Sequence, residues 1–190
     1  MLELAILGVL KEQPMHGYEL RHYLSFIVGH IWQLSYGTLY PALRRLERRG
    51  ELTRQTIRDG KGPARHVYAL TPQGEATFLA MMAEVASPTE ISDPHKFTLR
   101  LTFFRYLGRE ARVALLAQRL KFLRENRESL AEMEEIPSSG LDRYRRALIR
   151  YHAHANAEEI AFVERLMHDE ASEAEAGAVV PTTGQAAGAG

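Results

Sequence analysis

Between Ser35 and Arg65 the chain collects hydroxyl, guanidinium and ammonium groups, whose common chemistry is to bind anions rather than to break bonds. Arg44, Arg45, Arg48, Arg49, Arg54, Arg58, Lys61 and Arg65 set eight cations against Glu47, Glu51 and Asp59, a local excess of five. The whole chain of 190 residues is nevertheless formally neutral, with 24 basic and 24 acidic residues. A polyanion meets the local patch and not the sum. Part of the balancing acid lies far away, in the four carboxylates between Asp169 and Glu175, a stretch without a base. Arginine pairs with phosphate oxygens and with guanine O6 and N7, and short hydroxyl side chains reach base edges or phosphates.

Covalent and metal chemistry find little support. There is no cysteine, which excludes disulfides, thiolate metal sites and a cysteine nucleophile. Neither a GxSxG nucleophile elbow nor a GxxxxGK[ST] or GxGxxG phosphate loop occurs. His152 and His154 would point to nearly opposite sides of a helix, whereas His154 and Glu158 share a face but make only two ligands. No catalytic residue, metal site or cofactor is therefore expected.

A helix must present the cations. In Ser35 to Leu52, SYGTLYPALRRLERRGEL, the residues Leu39, Ala42, Leu43 and Leu46 recur at three- and four-residue spacing, and Thr38, Arg44, Arg45, Arg48 and Arg49 fill the remaining face. Gly50 suits the position just past the C-terminus. The start is open between Ser35, a good N-cap, and Thr38, because Pro41 lacks an N–H and is harmless only in the first turn. Ahead of it, Met1 to Lys11 reads as a buried helix ending near Gln13-Pro14. A second helix opens at His16-Gly17-Tyr18-Glu19-Leu20, runs through Leu24 and Ile27, and ends at Gly29, after which Trp32, read as core, and Leu34 lead into the third. Three short helices with a turn before the last match a helix-turn-helix.

After Gly50, Glu51 to Ile57 and His66 to Leu70 read as strands joined by the Gly/Pro-rich turn Arg58 to Arg65, so a basic hairpin, a wing, follows the basic helix. Thr71 then caps a further helix with Pro72 at its first position and Glu75 in its first turn, extending through Phe78, Leu79, Met82 and Val85 to Ser87-Pro88.

The order HGYEL, SYGTLYPALRRLERRGEL, a Gly/Pro/Arg hairpin and VYALTPQG resembles the winged helix-turn-helix domain of the PadR family of bacterial transcriptional regulators, over about the first 85 residues. Glu51 departs from the pattern, standing where the family more often has an apolar residue. The resemblance implies DNA binding, with Tyr18 helping to position the DNA backbone; a core role is the alternative for Tyr18 and for Tyr40. The residues expected at DNA are Tyr18, Ser35, Tyr36, Gly37, Thr38, Tyr40, Arg44, Arg45, Lys61 and Arg65. Tyr36 and Thr38 would reach bases or phosphates, and Gly37 would let the backbone come close. Arg44 and Arg45, nearer the helix start, rank ahead of Arg48 and Arg49, and Lys61 and Arg65 flank the wing tip.

In the second half, residues 89–96 read as a polar connection and Phe97 to Leu107 as a helix with Phe97, Leu101, Phe104 and Leu107 on one face. Arg109 to Glu135 carries Val113, Leu116, Leu120, Leu123 and Leu130 in a coiled-coil-like repeat, broken at Pro137-Ser138-Ser139-Gly140. Leu141, Tyr144, Leu148, Tyr151 and Ala155, then Ile160, Val163 and Leu166, continue it, so an antiparallel hairpin is expected. This half resembles the α-helical C-terminal domain of longer PadR-like regulators, which mediates dimerisation in the family. The fold expected is mainly α: a winged helix-turn-helix over 1–87, a long-helix dimerisation domain over 88–168, and a disordered acidic and Ala/Gly tail over 169–190. No apolar run approaches the roughly 18 residues that span a bilayer. The combined expectation is a cytoplasmic homodimer that binds double-stranded DNA as a repressor, open to a small-molecule effector. The alternative is a protein-interaction module built on a winged-helix scaffold.

Overall fold

The computed structural model describes residues 1–27, 36–57, 65–84, 86–137 and 140–178, and the chain divides into two compact units, Met1–Arg112 and Val113–Gly190. In the first unit, helix α1 (Leu2–Glu12) is central because its run from Leu4 to Leu10 is apolar on every side and wholly buried. Helices α2 (Gly17–Ile27), α3 (Tyr36–Arg48) and α4 (Pro72–Ala83) pack around it, contributing Leu20, Leu24, Leu39, Leu43, Leu46, Phe78 and Met82 to one core. Gly29, Trp32 and Leu34 lie outside the described residues.

The wing strands form as expected, β2 at Leu52–Ile57 and β3 at Arg65–Leu70, antiparallel with Leu52 opposite Leu70 and Ile57 opposite Arg65. Sequence reasoning missed a third strand, β1 (Met15–His16), which pairs antiparallel with β3 through Met15–Tyr68 and His16–Val67. Two residues carry no periodicity, so only the partner strand reveals them. The tip of the wing, residues 58–64, lies outside the described residues. At its base the chain turns through Gly50 at φ 73°, and α4 is tied to that turn: Thr71 Oγ1 donates to Gly50 O (2.7 Å) and accepts from Gly74 N (3.0 Å), while Gln73 Nε2 donates to Arg49 O (2.8 Å).

Residues 89–96 are not a connection. They form helix α5 (Pro88–Ser92) and the start of α6 (Pro94–Thr102), each with proline in its first turn. Ser87 and Glu90 make a reciprocal capping box, with Ser87 N donating to Glu90 Oε2 at 2.9 Å, and Asp93 accepts from His95 N (2.9 Å) and Lys96 N (3.3 Å). Caps can define helices too short to show a period. The helix expected from Phe97 to Leu107 ends instead at Thr102 and continues as a 3-10 turn, Phe104–Tyr106. That rotation buries Phe103, which the one-face reading left out, and leaves Leu101 only half-buried.

Phe103 ties this segment to the winged helices. Its ring lies over Gly8 of α1, where an added Cβ would come within 2.5 Å of Cζ, and it packs edge-on against Phe78 at 5.6 Å between centroids. Arg100, 4% exposed, donates to Met81 O (3.1 Å) and Glu84 O (2.8 Å), carbonyls at the C-terminus of α4 where a cation is favoured. The first compact unit accordingly runs to Arg112, well beyond residue 87. Arg100→Met keeps the apolar stem but strands these carbonyls. Leaving buried acceptors unmet costs roughly 1–3 kcal/mol, so a stability loss of about 2 kcal/mol in urea denaturation is the expected outcome.

The second unit holds α7 (Arg109–Glu134) from Val113 onward and α8 (Arg143–Ala178), which run antiparallel: Arg119 Nε reaches Glu159 Oε1 (2.8 Å), and Asn156 Nδ2 donates to Leu123 O (3.1 Å). Leu116, Leu120, Leu123 and Leu130 are buried in α7, and Ile160 and Val163 in α8, as their spacing predicts. Tyr144, Leu148 and Tyr151 are instead 69%, 54% and 67% exposed. The disordered tail expected from Asp169 does not start there, since α8 continues to Ala178. Alanine and glutamate are strong helix formers and need no core to extend an existing helix. Residues 179–190 lie outside the described residues.

Candidate nucleic-acid interface

Helix α3 buries Leu39, Ala42, Leu43 and Leu46 completely, which turns Gly37, Thr38, Pro41, Arg44, Arg45 and Arg48 outward. It starts at Tyr36, within the interval left open by the sequence. Pro41 therefore sits well inside the helix, where its missing N–H leaves the Gly37 carbonyl without the usual fourth-residue partner. Ser35 and Lys61 of the expected set lie outside the described residues, as does the side chain of Tyr36.

The arginines of α3 are not equivalent. Arg45 Nε donates to Glu3 Oε1 at 3.1 Å, and Arg49 Nη2 donates to Glu3 Oε2 at 2.6 Å and contacts Glu51 Oε2 at 2.8 Å. Arg54 of β2 is paired with Glu47 at 3.2 Å. Burial pushes the Glu3 carboxyl up, but hydrogen bonds from Arg49 and Arg45 outweigh it and hold the group below the usual carboxylate range. Hydrogen bonds to Glu51 and then Glu3 raise the Arg49 guanidinium above its ordinary value. Arg44 and Arg65 have no ion pair among the described residues, and Arg48 Nε reaches only the Arg44 carbonyl of its own helix at 3.4 Å. The sequence grouped Arg44 with Arg45; the structure groups Arg44 with Arg48, both open, and Arg45 with Arg49, both held. Glu3 was missed because it arrives from another helix more than forty residues away, beyond the reach of a local charge count.

A hollow of about 450 Å³ lies where β1 and the start of α2, Tyr40 of α3 and β3 meet, lined by Tyr18, Tyr40, Arg65, His16, His66 and Tyr68 among others. It brings together three of the expected residues, Tyr18, Tyr40 and Arg65. Tyr18 is 66% exposed, which removes the core alternative for it, whereas Tyr40 is half-buried. Gly17 allows the walls to close: a Cβ there would lie 3.1 Å from the Tyr40 hydroxyl and 3.3 Å from the Tyr68 ring. Burial pushes the Tyr68 phenol up, so it stays protonated. His16, His66 and Tyr68 were not singled out in sequence, although His16 belongs to the HGYEL block. The hollow, the exposed α3 face and Arg65 together offer hydrogen-bond donors and cations to an anionic surface. Among the described residues no group of three His, Asp or Glu could hold a metal ion, and no helix is long and apolar enough to cross a membrane.

Residues 6–80, which contain both the hollow and α3, match the transcriptional regulator PadR-like family. The domain spanning residues 6–80 belongs to that family. Among PadR-like proteins, the negative transcriptional regulator PadR of Bacillus subtilis is 26% identical over 122 residues, 64% of this chain and 66% of the relative. Transcriptional regulator Rv3488 of Mycobacterium tuberculosis is 42% identical over 76 residues, 40% of this chain and 66% of that one. The alignments thus span just under two thirds of these two relatives rather than their full length. Bacillus subtilis PadR in complex with operator DNA is similar in structure with a TM-score of 0.45 at 21% identity, covering 89% of this chain and 98% of that one.

Proposed function

We propose that this PadR-like protein is a sequence-specific transcriptional repressor that binds an inverted-repeat operator as a homodimer. The observation that carries the reading is the outward face of α3, where Thr38, Arg44 and Arg48 lie opposite a fully buried leucine face, together with the exposed Arg65 at the tip end of the wing strands. In this arrangement α3 enters the major groove and the N-terminal Thr38 reaches base edges. Arg44 and Arg48 pair with phosphates, while Arg65 and Tyr18 rest on the adjacent backbone. The exposed stripe Tyr144, Leu148 and Tyr151 on α8, spaced by four and three residues, supports pairing of two copies through the C-terminal helices. A two-fold axis there sets half-sites about one helical turn apart. A small-molecule effector that favours one state of the helical unit would change the separation of the two recognition helices and release the DNA. Such a regulator acts in the cytoplasm, where the operator is.

The test is selection of binding sites from random duplex DNA by the purified protein, followed by salt titration on the winning sequence. The expected winner is palindromic, with affinity falling steeply as salt rises; absence of any enriched sequence would overturn the reading. Two substitutions separate the roles. Thr38→Ala should flatten base preference at one position per half-site, by about 1–3 kcal/mol. Arg65→Ala should weaken binding to every sequence alike and lower the salt slope by about one unit. A sequence-dependent effect of Arg65→Ala would remove it from the backbone.

A further inference from the structure

We infer, resting on the DNA-binding reading above, that Glu3 is a positioning residue that withholds Arg45 and Arg49 from DNA phosphates and thereby limits the sequence-independent part of DNA affinity. The geometry is specific: the two carboxylate oxygens of Glu3 are taken by different arginines at the α3 end, Oε1 by Arg45 at 3.1 Å and Oε2 by Arg49 at 2.6 Å. Glu3 stands in the first turn of α1, where a carboxylate is favoured by the helix dipole. Arg49 is held from a second side as well. Glu51, buried to 6% exposure, accepts from Arg49 Nε at 2.9 Å and from Thr77 Oγ1 at 3.2 Å. Pulling Arg49 toward DNA would strand a buried carboxylate, which is strongly unfavourable.

Each exposed ion pair alone is weak, about 0.2–1 kcal/mol, so the effect is a graded restraint and not a block. Among the described residues Arg45 is paired only with Glu3, while Arg49 is locked between Glu3 and Glu51. Of the four arginines from Arg44 to Arg49, two are thus neutralised, and Arg44 and Arg48 remain to meet phosphates. A helix with four available arginines would grip any duplex. Restraining two of them lowers the electrostatic attraction common to all sequences without touching the residues that read bases.

The full-length wild type and Glu3→Gln are titrated with salt on a random-sequence duplex, with binding read by fluorescence anisotropy. Each additional phosphate neutralised adds about 0.9 to the slope of log affinity against log salt. Glu3→Gln frees Arg45 while Glu51 still holds Arg49, so it is expected to steepen the slope by about one unit and to tighten binding roughly tenfold at 0.1 M salt. Glu12→Gln, the same charge change at the other end of α1, is expected to leave the slope alone. Arg45→Gln should leave the slope unchanged in the wild-type background and lower it by about one unit in the Glu3→Gln background. Wild-type binding that is steep in salt, with a Glu3→Gln slope equal to it or with an equal rise in Glu12→Gln, overturns the inference alone. Wild type that shows no salt-dependent binding overturns the DNA reading and this inference together. Should Glu3→Gln lose its fold in urea, Arg45→Gln decides alone: a one-unit fall in the wild-type slope places Arg45 on DNA already and overturns the proposal.

Discussion

A fragment ending at Arg112 should fold on its own and bind a single half-site roughly 10²–10⁴-fold more weakly than the intact chain binds the full operator, because linking two modules supplies that much avidity. A fragment ending at Ser87 should not fold stably, although that is where the sequence places the end of the winged domain. It lacks Phe97, Phe103 and Phe104, uncovers Phe78 and the Gly8 surface of α1, and removes the Arg100 cap from the C-terminus of α4. Deleting one buried phenylalanine costs about 3–5 kcal/mol, and a domain of this size has about 5–15 kcal/mol in all. Circular dichroism with urea denaturation checks the folding of both fragments, and anisotropy on half-site and full-site duplexes checks the binding. If the Arg112 fragment bound the full site as tightly as the intact protein, pairing through α7 and α8 would be wrong.

The contrast between those two end points shows which information the sequence carries locally. Helix α3 was legible because Leu39, Leu43 and Leu46 repeat with the helical period and Gly50 marks the stop; α4 was legible because Thr71 and Pro72 mark a start. The hairpin was legible from its glycines and proline. Helix α5 has only five residues, too few for a period, and its local signals are the capping box of Ser87 and Glu90 and Pro88 in its first turn. Strand β1 and the Phe103–Gly8 contact had no local signal, since each is defined by a partner distant in sequence. The same limit applies to the site. A count of charges along the chain finds the cationic stretch, but it cannot tell Arg44 from Arg45, because what separates them is a carboxylate delivered by α1. Tyr18, Tyr40 and Arg65 could be named one by one from their blocks; that they line one hollow follows from the packing of α2, α3 and β3.

Gly74 is the position where a single added methyl group should do most damage. It lies in the first turn of α4, and an alanine Cβ there would sit 2.0 Å from the carbonyl oxygen and 2.9 Å from the carbonyl carbon of Glu51. The obstacle is backbone, and that backbone is fixed: Glu51 N donates to Leu46 O (3.0 Å) and Glu51 O accepts from Thr71 N (3.1 Å). Helix α4 must therefore move away from the α3–β2 turn, breaking the bonds of Thr71 and Gln73 to Glu51, Gly50 and Arg49. Intrinsic helix propensity favours alanine over glycine by about 1 kcal/mol, whereas three lost hydrogen bonds at about 1 kcal/mol each and the displaced core outweigh it. Gly74→Ala should lose about 3 kcal/mol net, read as a lower urea midpoint. Gly108→Ala is the control, since nothing lies within 4 Å of its Cβ position. The turn held by α4 also joins the recognition helix to the wing, so DNA affinity should fall with stability in Gly74→Ala and stay unchanged in Gly108→Ala. A Gly74→Ala protein as stable as wild type would mean that α4 is free to shift, and that the turn does not fix α3 and the wing relative to each other.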